Sequence, residues 1–128
     1  MQNTYKLTIS YTLGQELATW TYDNTDADDC CDAHVGDLVD VIFDGPGDVA
    51  QGVMLCGQMG DEKISSPFIQ GNQIDLTKTP TLQVGQNPGR WGFSVAFMAR
   101  NGDGSSAFYY VPDPEIIIKT RPGSDGLA

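Results

Sequence analysis

The chain has 128 residues, with 17 acidic and seven basic side chains and a formal net charge of −10. That length suits one ordinary domain with a sizeable core, and 40% hydrophobic residues supply the apolar material. The basic residues Lys6, Lys63, Lys78, Arg90, Arg100, Lys119 and Arg121 are scattered, which argues against nucleic acid and anionic membranes as partners, because both require clustered positive charge.

Met1 to Lys6 form no apolar leader-like run, and no stretch reaches the length of a membrane span. Strict alternation starts at once: Tyr5, Leu7, Ile9 and Tyr11 share one face and Lys6, Thr8 and Ser10 the other. This period of two is the signature of a half-buried strand. After a turn at Gly14, Ala18, Trp20 and Tyr22 repeat it.

Residues 23–34 are an acidic run ending at His34, read as a loop between two strands. Val39, Val41 and Phe43 mark a strand over 36–43, and Asp44-Gly45-Pro46-Gly47-Asp48 is a turn by composition. The next strand alternates through Val49, Gln51, Val53 and Leu55, with Leu55 expected to face inward. Short strands are expected over 64–69, 73–76 and 81–84, with Pro67 and Pro80 marking edges or ends.

The clearest strand carries Trp91, Phe93, Val95, Phe97 and Ala99 on one face. Asn101-Gly102-Asp103-Gly104 is a hairpin turn, leading to a return strand over 107–111. Pro112 to Pro114 break that strand before a last one over 115–119. No 3.6-residue period persists over three turns. The fold expected is all-β: a two-sheet antiparallel β-sandwich of Greek-key, Ig-like or jelly-roll-like kind over residues 1–120, with a flexible tail over 121–128.

Asp23, Asn24, Asp26, Asp28 and Asp29 form the strongest metal candidate. Crowded carboxylates repel, and a hard cation such as Ca²⁺ relieves this with several oxygen ligands. The run departs from an EF-hand: the closing Glu, the central Gly and flanking helices are missing. A solvated acidic loop is the plainer reading.

Cys30, Cys31, His34 and Cys56 are the soft-ligand candidates for zinc, at a spacing far from the usual pattern. The odd cysteine count reads as reduced thiols in a cytoplasmic protein, with export lacking a cleaved signal left open. Neither a nucleophile elbow nor a phosphate loop in its proper strand–helix context is present, so no catalytic residues are expected. Trp20, Tyr22, Tyr109 and Tyr110 are the aromatics available for a ligand-binding or partner-binding platform.

Trp91 to Phe97, followed by Tyr109-Tyr110-Val111-Pro112-Asp113-Pro114-Glu115-Ile116, loosely resembles bacterial inclusion-body proteins of the PixA/AidA type. There too a tyrosine-containing strand runs into an Asp-Pro turn and a short apolar strand. The likeness covers about the last third of the chain. It implies a small acidic β-sandwich that accumulates or self-assembles in the cytoplasm, and it carries no catalytic residues.

The function expected is a non-catalytic binding or self-assembling module, its partner another copy of itself or another protein. Two alternatives stand beside it. One is a calcium-dependent ligand-binding protein, with sugars as ligands, acting through the acidic run. The other is an acidic inhibitor or immunity protein for a basic partner.

Overall fold

The structure, a computed structural model, describes residues 2–23, 31–58, 66–112 and 114–119. Ten strands follow in chain order: β1 (Thr4–Ser10), β2 (Thr19–Tyr22), β3 (Cys31–His34), β4 (Leu38–Asp44), β5 (Asp48–Gln58), β6 (Gln73–Asp75), β7 (Thr81–Gln83), β8 (Gly89–Arg100), β9 (Ser106–Val111) and β10 (Glu115–Lys119). Among the described residues there is no helix. The expected tail, residues 121–128, lies outside them.

The strands build two sheets that pack face to face, the sandwich expected from the alternation. One sheet runs β2-β1-β4-β7, and the other β3-β10-β8-β5-β6 with β9 also paired to β8. The sheets are mixed rather than wholly antiparallel. β1 pairs with β4 in parallel, as β10 does with β3. A parallel neighbour cannot be joined by a tight hairpin, so β1 reaches β4 only after the chain has laid down β2 and β3. Alternation identifies strands but carries no information about their direction.

Three elements differ from expectation. β3 is a strand inside what reads as an acidic loop. The expected strand over 64–69 reduces, in its described part, to an isolated bridge of Phe68 with Val84. β5 changes face part-way along. Its register on β8 slips between Val49 and Gln51, a β-bulge. Beyond that bulge Gly52 and Met54 are buried, while Val53 and Leu55 are exposed. Leu55 therefore faces outward, and Cys56 packs against the core.

β9 and β10 lie end to end on one edge of β8. Val111 pairs with Val95 and Glu115 with Gly92, a one-residue slip absorbed at the proline break. The Phe93 amide donates to the Pro114 carbonyl there at 2.9 Å. Trp91, Phe93, Val95, Phe97 and Ala99 all face the core, as the alternation implied. The Trp91 indole donates to the Asn87 carbonyl at 2.9 Å, so its polar edge is satisfied.

The chain also steps from sheet to sheet at both sides of the sandwich. Residues 16–18 bond to β9, through Tyr110 N to Glu16 O and Ala18 N to Tyr110 O, each at 2.9 Å, before running on as β2. Residues 67–69 bond to the end of β7 before the chain reaches β6. These steps cover edge groups that would otherwise be open to pairing.

One buried carboxylate ties the sheets at their other end. Asp37 is 0% exposed. Its oxygens accept the Asn3 amide at 3.0 Å, the His34 amide at 2.9 Å and the Tyr5 hydroxyl at 3.1 Å. Its own carbonyl accepts the Val84 amide at 2.8 Å. This residue thus joins the starts of β1 and β4 and the end of β3 through its side chain, and the residue after β7 through its carbonyl.

Asp37→Ala strands these donors in a dry environment. It is expected to cost about 3 kcal/mol or more, read as a lower urea midpoint with an unchanged slope. Asp37→Asn keeps one acceptor oxygen and is expected to fall between the two.

Candidate functional site

The six-stranded sheet has an outer face with two unlike halves. Toward β10 it is polar. The Arg90 guanidinium makes a two-pronged contact with the Glu115 carboxylate at 2.9 and 3.0 Å, and these bonds hold the Glu115 carboxyl below its usual range. Arg90 is largely exposed, so the pair adds little stability.

Toward β9 the same face is apolar. Cross-strand pairing places Leu17, Tyr110, Ala96 and Val53 in one row, which ends at Asp75 on β6, and Phe108, Met98 and Gln51 in the next. Leu55 extends the patch along β5 beside Ser94. Successive strands stand about 4.8 Å apart, so these side chains form one continuous surface. Phe108 is 72% exposed, Leu17 62%, Leu55 52% and Tyr110 44%. Of the positions in these rows only Asp75, at the β6 edge, carries a charge, on a chain that carries −10 as a whole. Scattered exposed apolar residues are ordinary, whereas these are contiguous.

Two local causes produce the patch. The bulge on β5 reverses the parity of its strand and sends Val53 and Leu55 outward. On β9, burying Tyr109 and Val111 requires Phe108 and Tyr110 to face solvent. Patterning alone would not reveal the first. The second is visible in the adjacent aromatics Phe108, Tyr109 and Tyr110, of which alternation must expose some.

Of the four aromatics expected to form a platform, Tyr110 lies in this patch. Trp20 is half-buried and stands edge-on to Tyr22, ring centres 5.7 Å apart. Tyr22 and Tyr109 are both buried in the core. Tyr109 stacks on Phe97 at 5.1 Å and lies 4.8 Å from Tyr11. Burial raises the Tyr11 hydroxyl above its ordinary pKa, and the nearby Tyr109 hydroxyl and the Asp48 and Asp44 carboxylates raise it further. The structure therefore divides these four residues between core and surface rather than gathering them.

Asp23 lies just past β2, and its carboxylate accepts the Lys6 amide at 2.8 Å, extending the β1–β2 pairing. Asn24, Asp26, Asp28 and Asp29 lie outside the described residues, as does Cys30. Among the described residues, no group of three or more His, Cys, Asp or Glu side chains is placed to hold a metal. His34 ends β3 and Cys56 sits on β5, with β10 and β8 between them. Three strand spacings, roughly 14 Å, separate them, too far for two ligands of one zinc ion.

His34 Nδ1 stands 4.0 Å from the Asp37 carboxylate, whose oxygens already accept three structural donors. The polar alternation Asn101, Asp103 and Ser105 closes on itself as a hairpin turn. Asp103 accepts both the amide and the hydroxyl of Ser105, at 2.9 and 2.6 Å.

Burial pushes the Cys56 thiol up to about 11, against the opposing effect of a hydrogen bond with Ser66. In a Cys30→Ser, Cys31→Ser background, native protein is expected to alkylate at pH 8 about a hundredfold more slowly than a model thiol, approaching it once urea unfolds the chain. Because the folded value is raised, the associated stability is complete below the unfolded value. It is lost as pH rises through about 11.

The Tyr109 hydroxyl is buried without a hydrogen-bond partner among the described residues. Tyr109→Phe removes a group desolvated without compensation. It is expected to be neutral or to stabilise by about 1 kcal/mol, read in the melting temperature.

In comparisons with known proteins, the chain matches no protein-family model and no curated protein.

Proposed function

We propose that this protein is a non-catalytic binding module whose working surface is the apolar half of the outer face of the six-stranded sheet. The observation that carries this reading is the apolar stretch of Leu17, Tyr110, Ala96 and Val53, bounded by Asp75, with Phe108 and Met98 beside it, on a chain of net charge −10. Apolar surface left in water is a standing cost that a partner removes. Aromatic residues at the centre of such a patch provide anchors with few rotatable bonds.

The surrounding chemistry agrees with a binding role. The described polar clusters with the best geometry, at Asp37, Asp103 and Asp75, are occupied with holding backbone. Asp75 accepts the Thr77 hydroxyl and amide, and Asp37 and Asp103 do the same work at other corners. Recognition through an apolar patch is governed by area and shape. Acidic surface elsewhere keeps the free protein soluble and disfavours indiscriminate sticking. The likeness of the last third to inclusion-body proteins accords with a protein that acts by association. No helix among the described residues is long and apolar enough to cross a membrane.

The neutral dye Nile red tests this reading without interference from the acidic charge. Folded wild-type protein at low micromolar concentration is expected to enhance its fluorescence. Phe108→Glu with Leu17→Glu is expected to abolish the gain while leaving the circular dichroism spectrum unchanged. No enhancement with wild type, or equal enhancement by the folded double variant, would remove the apolar face as the binding surface.

A further inference from the structure

We propose that the occupant of this face is a second copy of the same chain, the two six-stranded sheets stacking face to face about a two-fold axis. The proposal rests on the reading of the apolar half-face as the binding surface and adds its partner.

Shape favours it. Phe108 projects from β9 at 72% exposure and itself walls one side of a shallow depression whose other lining residues include Gln51, Val53, Ala96 and Met98. Knob and hollow share one cross-strand row, Phe108–Met98–Gln51. A two-fold axis along β8 exchanges the β9 side of one copy with the β5 side of the other. It therefore sets each Phe108 over the hollow of the opposite copy. A surface that carries both halves of a contact in one row is self-complementary in the way an isologous interface requires.

Area and charge set the strength. With whole side chains of about 150–250 Å², these exposures leave roughly 500 Å² of large apolar side chain per copy. Two such faces bury roughly 1,000 Å², just under the range of stable specific interfaces, which fits a weak reversible dimer. Each copy carries −10, so repulsion opposes association and salt relieves it. A basic partner held by charge would show the opposite salt dependence.

Sedimentation equilibrium from about 10 µM to 1 mM decides the matter, at low salt and at roughly 0.5 M NaCl. The expected result is a shift from monomer toward dimer over that range, stronger at high salt. Phe108→Glu is expected to raise the dissociation constant tenfold or more, with Phe108→Ser as the milder variant should the first fold poorly. Ile42→Glu, on the outer face of the other sheet, is expected to behave as wild type.

A wild-type monomer at 1 mM in high salt overturns the proposal. So does an equal effect of Ile42→Glu, or association that salt weakens. A monomer that still binds Nile red through Phe108 removes the second copy and leaves the binding face intact. A monomer that binds no dye removes both.

Discussion

The structure depends on a carboxylate kept out of water. Asp37 stands where β1, β3, β4 and the residue after β7 converge, and it accepts donors from Asn3, Tyr5 and His34. A buried charge is tolerable only when such donors surround it, and removing any of them exposes its full desolvation cost. This corner therefore constrains how the segments around it meet. It accepts one arrangement of four segments, among them the parallel neighbours β1 and β4. Those neighbours lie 34 residues apart at the contact between Asn3 and Asp37.

From that corner the rest of the sandwich follows with little freedom. The parallel pair requires β2 and β3 to be placed before β4 arrives, and β3 carries the chain back from one sheet to the other. At the opposite end, Tyr11, Phe43, Phe97 and Tyr109 fill the core with rings 4.8–5.1 Å apart. Gly47 lets the β4–β5 turn close against β8. Its φ is +75°, and a side chain there would overlap the Arg100 carbonyl. One end is thus fixed by a satisfied charge and the other by aromatic packing.

The apolar face is a by-product of the same geometry. A bulge on β5 and the obligatory alternation of β9 turn large side chains outward on adjacent strands, with the mostly small outward residues of β8 between them. In the proposed dimer the acidic surface and the apolar patch play complementary parts: charge would govern how readily two molecules approach, and the patch what holds once they meet.

Much of the fold could be read from the amino-acid order. The alternation in β1, β8 and β9 predicts strand and facing, because a period of two is a local property of the pleated backbone. The Asn101–Ser105 hairpin is likewise legible, its chemistry lying within five residues. β3 was hidden because its Asp32 and His34 resemble the acidic run before them, and it is a strand because β10 lies alongside.

What only the tertiary structure decided is parity, direction and company. The bulge at Ala50 reverses which side of β5 meets the core, and one unpaired residue suffices to expose Leu55 and turn Cys56 against the core. The parallel pairing of β1 with β4, and the meeting of Leu17 with Tyr110, 93 positions further along the chain, are likewise long-range choices. The amino-acid order determines which segments are strands. Which face of each is covered depends on the neighbour it finds, and that is settled only when the whole core closes.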